Sequence, residues 1–191
     1  MLRIATLIAN KSEDIETVAA VDIWRRAGIS VRLISVEKKK NITLANGVKI
    51  SCDEILAKEN LSKYNAIFLP GGEGFKRFND VDSPKFFSFL GKNGSFGKIY
   101  FFAICSAPSI YGEMGMLEDV KATCYPGFES SFKHNYVDQD VVVDKNFITA
   151  KAPGSTIKFA LTVVAKLIGI KKAEEIASKI FYDGKIDLYL F

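Results

Sequence analysis

The chain has 191 residues, of which 48% are hydrophobic and 25% are charged, and it carries a formal net charge of +4. The length suits one domain with a sizeable core and also leaves room for two small domains, while the composition excludes disordered and fibrous classes. It has no basic tract interleaved with aromatics, no signal-peptide core and no apolar run of about 20 residues, so we expect a cytoplasmic protein without a nucleic-acid or membrane partner.

The cysteine and histidine content limits the chemistry further. Three widely spaced cysteines, at positions 52, 105 and 124, form no Cys-x-x-Cys pair. Their odd number fits a reducing compartment better than a disulfide framework or a zinc site. His134 is the single histidine. We therefore expect neither a bound metal nor a cofactor.

The first two elements are a strand over residues 3–9 and a helix that ends at Gly28. Ser12 is the predicted N-cap of this helix, and the acidic residues that follow it suit the first turn. Glu16 heads a stripe of apolar residues at helical spacing, so we expect its side chain to point toward the sheet. A carboxylate facing a core raises its pKa or finds a partner, which marks Glu16 as a candidate functional residue. The alternative is that Glu16 complements the helix dipole and turns out to water.

A second strand and a small hairpin follow. Residues 29–36 alternate between apolar and polar types, which predicts a strand. Asn46 and Gly47 lie between two short strands within residues 42–50, a strong hairpin signal. Such a ribbon often lies outside the main sheet, where it can pair with another subunit.

A glycine-rich loop follows the third strand of the predicted sheet. Residues 66–69 form that strand, and Gly71 and Gly72 follow it, where glycines let a backbone approach a ligand closely. The loop lacks the phosphate-loop pattern. Residues 83–90 are predicted to form a helix with an aromatic stripe.

The central feature is the apolar run that ends at Cys105. Residues 99–104 predict a strand buried on both faces, and Pro108 suits the first turn of a helix directly after it. Cys105 would then lie at the carboxyl end of a central strand, where open α/β sheets bind ligands. It would also lie at a helix N-terminus, which leads us to expect a lowered thiol pKa. The alternative is a cysteine that is simply packed in the core.

The remaining elements complete an α/β pattern. A short helix ends near Gly112, and a hairpin spans residues 141–150. Helices over 157–168 and 171–180 precede an apolar tail, residues 181–191, which we expect to dock on the body or on a partner. Alternating strands and helices without repeats or linkers predict a single domain over residues 1–191, with a three-layer α/β/α fold and a mostly parallel sheet.

Five stretches resemble the ThiJ/PfpI superfamily, and specifically its DJ-one/ThiJ branch of glyoxalase, deglycase and stress-response proteins. They occur in the family's order and cover nearly the whole chain. The stretches are residues 13–17 (EDIET), 24–29 (WRRAGI), 69–72 (LPGG), 103–108 (AICSAP) and 152–156 (APGST).

The resemblance implies a flavodoxin-like sandwich, usually a homodimer, with Cys105 as the nucleophile at a sharp strand-to-helix elbow. It implies that Glu16 reaches the sulfur and that the backbone N–H groups of Gly72 and Ser106 form an oxyanion pocket beside Gly71. A protonated Glu16 would donate a hydrogen bond to the thiolate. The family also implies ready oxidation of this thiolate to a sulfinate.

Two departures from the family pattern affect the expected activity. Tyr125 stands where strong glyoxalases often carry a histidine near the cysteine, so we expect a slower enzyme. Ser106 stands where protease-like members have a histidine, which argues against peptidase activity. His134 is followed by Asn135 and Tyr136, so the His-x-Glu pattern of glutamine amidotransferases is absent.

The favoured interpretation is a glutathione-independent glyoxalase or deglycase acting on methylglyoxal or its early adducts with amines and thiols. The alternative is a redox-responsive chaperone or oxidative-stress sensor that works through oxidation of Cys105. No residue supports a thiazole site for thiamin biosynthesis.

Overall fold

A computed structural model describes residues 1–79 and 99–186 of the chain. The strands are β1 (Arg3–Ile8), β2 (Ser30–Ser35), β3 (Asn41–Thr43), β4 (Lys49–Ser51), β5 (Glu54–Ile55), β6 (Ala66–Leu69), β7 (Tyr100–Ile104), β8 (Val141–Asp144) and β9 (Phe147–Ala150). The α-helices are α1 (Asp14–Arg26), α2 (Pro108–Glu113), α3 (Thr156–Leu167) and α4 (Ile170–Lys179). Within the described ranges, no helix has the length and apolar content needed to cross a membrane.

Seven strands form one sheet in the order β5-β2-β1-β6-β7-β9-β8. Every neighbouring pair is parallel except β8 and β9, which form an antiparallel hairpin. The predicted mostly parallel, flavodoxin-like α/β fold is confirmed. Strands β3 and β4 pair with each other in a separate two-stranded sheet, as the Asn46-Gly47 signal predicts.

Each face of the sheet is covered by its own apolar cluster, which explains why the central strands are apolar throughout. Phe102 and Ile104 of β7 pack with α1, α3 and α4 on one face. Phe101 and Ala103 of the same strand pack with α2 and the loops around it on the other. Trp24 joins two helices of the first cluster, because its indole N–H donates to the carbonyl of Ala160 over 3.1 Å.

Two details differ from the sequence-based expectations. Helix α1 begins one residue later than a Ser12 cap requires: Glu13 is its N-cap and accepts the N–H of Glu16 over 2.8 Å. Ser12 was therefore the wrong N-cap, because its hydroxyl oxygen instead accepts the N–H of Ala9 and closes the turn after β1. The two-residue strand β5 was not predicted, since so short a segment carries no periodicity.

The first part of the C-terminal tail lies against the body of the protein. Tyr182 and Ile186 pack against the α1/α3/α4 cluster, so this part of the tail docks on the body as expected. Phe181 does not, since its side chain is 95% exposed. The predicted helix over residues 83–90 and the end of the tail, 187–191, lie outside the described residues.

Candidate active site

The parallel register brings the ends of three neighbouring strands together. Leu69 of β6 pairs with Ala103 of β7, and Ile104 of β7 pairs with Ala150 of β9. The loops that follow β6 and β7 therefore leave the sheet at the same edge. Because α1 follows β1, which also neighbours β6, its first turn lies at this edge too.

Cys105 occupies a sharp turn between β7 and α2. Its φ is +64°, in the left-handed region that non-glycine residues adopt at a cost of about 1–2 kcal/mol. Two backbone hydrogen bonds hold the turn: the N–H of Cys105 donates to Ala150 over 2.9 Å, and its carbonyl accepts the N–H of Tyr125 over 2.8 Å. The side chain is buried, with 8% of its surface exposed. This is the elbow that the sequence predicts.

The side chain of Glu16 approaches the elbow from the first turn of α1. Its side chain is fully buried, as the apolar stripe predicts, and Oε2 accepts the backbone N–H of Gly71 over 2.7 Å. Oε1 is also buried, yet no described residue forms a hydrogen bond with it. The Cys105 thiol lies close enough to Glu16 for each group to affect the pKa of the other. A proton on Oε1 would make this otherwise unpaired oxygen a hydrogen-bond donor.

Gly71 fits between the two functional side chains. A Cβ added there would lie 2.7 Å from the Cβ of Cys105 and 2.9 Å from Oε2 of Glu16. Gly72 is equally constrained, since its φ is +78° and an added Cβ would lie 2.6 Å from backbone atoms of Lys11 and Glu13. Both positions therefore require glycine, one because of its neighbours and the other also because of its backbone conformation.

Burial dominates the electrostatics of the pair. It raises the pKa of Glu16 to about 7, against the lowering effect of the hydrogen bond from Gly71. Burial, and next the charge of Glu16, raise the pKa of Cys105 to about 12. The backbone N–H groups of Gly72 and Ser106 point to the sulfur and oppose this rise. The expected lowering of the thiol pKa by a helix N-terminus was therefore wrong: α2 has six residues, and desolvation outweighs its dipole.

The two acidic groups consequently behave as a unit. An ionised Glu16 repels a thiolate, whereas a protonated Glu16 can donate a hydrogen bond to it. Above the pKa of Glu16 and below that of Cys105, the pair holds a single proton. A thiolate exists in that range only when the proton is on Glu16.

Ser106 and Tyr125 border the elbow, as expected. The hydroxyl of Ser106 donates to the carbonyl of Gly72 over 3.3 Å and so links the two loops. The backbone N–H of Tyr125 donates a hydrogen bond to the carbonyl of Cys105, and 45% of Tyr125 is exposed. All six predicted site residues thus lie at one edge of the sheet.

Sequence reasoning missed one neighbour of the site. Cys124 is fully buried, and burial raises its pKa most, followed by the charge of Glu129 and then that of Cys105. The two thiols therefore lie within electrostatic reach of each other. The available signal was its position directly before Tyr125. All three cysteines, including the distant Cys52, are free thiols.

Comparison with known proteins shows the family of this chain. The sequence profile of the DJ-1/PfpI family matches residues 2–166. A DJ-1 homolog B from Arabidopsis thaliana is 32% identical over 177 residues, which are 89% of this chain and 39% of that protein. The chain thus spans about two fifths of the length of this relative.

Two further proteins match at closer to full length. A deglycase from Pyrococcus horikoshii, PH1704, is 30% identical over 155 residues, covering 80% of this chain and 91% of that protein. The structure of oxidized Toxoplasma gondii DJ-1 superposes with a TM-score of 0.88 at 28% identity, covering 96% of this chain and all of the other. Together with the Cys105–Glu16 elbow, these matches establish that the chain belongs to the DJ-1/PfpI family.

Proposed function

We propose that the chain is a cofactor-free, glutathione-independent enzyme that acts on methylglyoxal or on its early adducts with amines and thiols. The observation that carries the proposal is the pairing of a buried carboxyl, whose pKa is about 7, with the buried thiol at the elbow. A general acid–base with a pKa near the working pH is the most effective one. The similarity to a deglycase supports the choice of substrate class.

The reaction would begin with proton transfer from the Cys105 thiol to Glu16. The thiolate adds to the aldehyde carbon and forms a hemithioacetal, while the N–H groups of Gly72 and Ser106 stabilise the oxyanion until Glu16 returns the proton to it. Glu16 then removes the proton from the former aldehyde carbon and delivers it to the adjacent carbon. The hydroxyl proton moves in the same sense, from the oxygen of the former aldehyde carbon to the oxygen of its neighbour, which yields a lactoyl thioester. Water hydrolyses the thioester, releases lactate and restores the thiol.

The test is lactate formation from methylglyoxal without glutathione. We expect Cys105→Ala to abolish turnover and Glu16→Gln, which keeps the size of the side chain, to reduce it about a hundredfold or more. Cys52→Ala is the matched control, because Cys52 packs in a separate small cluster with Ile8, Ile42 and Leu44, and should turn over like the parent. Equal rates in all four proteins would refute the proposal.

A redox-responsive chaperone or stress sensor is the second candidate. One similar protein has a structure in an oxidized form, and the N–H groups that point to the sulfur of Cys105 would also stabilise the oxygens of an oxidised cysteine. Stoichiometric gain of two oxygens on Cys105 after mild peroxide, with negligible lactate formation, would favour this function over the enzymatic one.

We also propose that the chain forms a homodimer and that it works in the cytoplasm. The supporting feature of the dimer is an exposed apolar patch made by Ile15 and Val18 of α1 and Val48 of the small hairpin. The carboxylate of Asp14 joins the two elements, because it accepts the N–H groups of Asn46 and Val48. A second copy presenting the same patch would bury it.

A further inference from the structure

We propose that Cys124 is a resolving cysteine for Cys105: after a hydroperoxide oxidises Cys105 to a sulfenic acid, the two residues form a reversible disulfide. The disulfide would divert Cys105 from irreversible oxidation to the sulfinic acid. This inference rests on the reactivity of Cys105, which the proposed function also uses, but it does not require turnover of a dicarbonyl.

The backbone places Cys124 directly before a residue that is hydrogen-bonded to Cys105. The N–H of Tyr125 donates to the carbonyl of Cys105 over 2.8 Å, so the residue that precedes Tyr125 in the chain runs alongside the elbow. The turn is held on its other side by the hydrogen bond from Cys105 to Ala150. Neighbouring backbones at hydrogen-bonding distance have the Cα separations that disulfides span.

The two thiols are also close enough to interact electrostatically. Charge on Cys105 contributes to the raised pKa of Cys124, which burial raises most. The two side chains pack in different apolar clusters, Cys105 with α1 and α3 and Cys124 with α2. Because these clusters cover opposite faces of the sheet, bond formation needs a local shift of the backbone that carries Cys124 as well as a change of rotamer. It also competes with attack by a second peroxide.

The chemistry balances with peroxide as the oxidant. The thiolate of Cys105 takes one oxygen from hydrogen peroxide, and the proton held on Glu16 completes the products, which are a sulfenic acid and water. The sulfur of Cys124 then attacks the sulfenic sulfur and displaces hydroxide, which leaves as water with the thiol proton. Closeness compensates for the weak acidity of Cys124, since reaction within one molecule raises the effective concentration by orders of magnitude. A dithiol such as dithiothreitol reduces the disulfide and restores both thiols.

The experiment compares the parent, Cys124→Ala, Cys124→Ser and Cys52→Ala after mild hydrogen peroxide, by intact mass and by mapping of unreduced peptides. For the parent and Cys52→Ala we expect loss of two hydrogen atoms, a peptide linking positions 105 and 124, and full reversal by dithiothreitol. For both variants at position 124 we expect no such product and a several-fold faster gain of two oxygens on Cys105. Two substitutions at position 124 are compared so that a folding defect in one of them does not decide the result. Circular dichroism checks that each variant protein is folded.

Two results would overturn the inference. One is equal sulfinate accumulation in the parent and in folded Cys124→Ala, with no linked peptide. The other is loss of two hydrogens that persists without Cys124, which would identify a bond from Cys105 to a backbone nitrogen instead. Lactate assays on the reduced proteins separate the two proposals, because a parent that forms the link but makes no lactate would refute only the proposed function.

Discussion

The backbone N–H of Gly71 donates a 2.7 Å hydrogen bond to Oε2 of Glu16, and this bond joins the loop after β6 to the first turn of α1. It holds a fully buried carboxyl against the elbow cysteine. The same glycine leaves no room for a side chain between the two groups. The position of the Glu16 carboxyl is thus fixed jointly by the backbone of α1, which carries it, and by the backbone of the loop after β6, which donates to it.

The buried acid should make stability depend on pH. Glu16 keeps its proton to about pH 7 in the folded protein, but releases it near its ordinary pKa of 4.5 when unfolded. Unfolding therefore releases a proton between these values, and the free energy of unfolding should fall as the pH rises, by at most on the order of 3 kcal/mol. Urea denaturation from pH 4.5 to 8 should show this loss in the parent and not in Glu16→Gln. A gap between the two proteins that does not change with pH would contradict the assignment.

Substitution of Gly71 should damage the site through crowding. Gly71→Ala places a methyl group against the side chains of Cys105 and Glu16, so we expect lower lactate formation and a loss of about 1–3 kcal/mol in stability. Gly154→Ala is the matched control, because an added Cβ there meets nothing within 4 Å. Equal effects of the two substitutions would show that the close packing at Gly71 has no consequence.

The elbow should store backbone strain that only glycine relieves. Cys105→Gly and Cys105→Ala both remove the nucleophile, but glycine adopts the φ of +64° without a steric penalty. We expect the glycine variant to be more stable than the alanine variant by about 1 kcal/mol. Chemical denaturation of the two inactive proteins measures the difference, and an alanine variant of equal or greater stability would argue against strain.

The apolar patch on α1 should control self-association. Val18→Glu places a charge in the patch and should convert the proposed dimer to a monomer in sedimentation velocity. Ile157→Glu, at another partly exposed apolar position, should leave the dimer intact. A parent that is monomeric at all concentrations, or a Val18→Glu protein that remains dimeric, would refute the proposed interface.

The sequence predicts the scaffold well because its signals are local. Apolar runs, the Asn46-Gly47 turn and the proline after Cys105 each specify their element within a few residues. Glu16 could be placed toward the core for the same reason, since helical periodicity fixes its direction. The N-cap was misassigned because Ser12 and Glu13 can both cap a helix, and the choice depends on the turn after β1 that engages Ser12.

The electrostatics and the second thiol could not be predicted in this way. The pKa of Cys105 depends on desolvation by two packed layers, and this burial is a property of the assembled fold. The neighbourhood of Cys124 depends on a hydrogen bond between residues twenty positions apart, Cys105 and Tyr125. Neither the desolvation of Cys105 nor the position of Cys124 beside it produces a periodic pattern in the sequence.

The central claim is that Cys105 and Glu16 share one proton across the neutral range. Its most direct test is the rate of iodoacetamide alkylation at Cys105, followed peptide by peptide, from pH 5 to 10. The parent should gain reactivity with a midpoint near pH 7, where the pair loses its first proton, and then reach a plateau. Glu16→Gln should react more slowly at neutral pH and continue to accelerate into the alkaline range, as a buried thiol without a carboxyl partner. Identical curves for the two proteins, or a parent curve without a plateau, would contradict the shared proton.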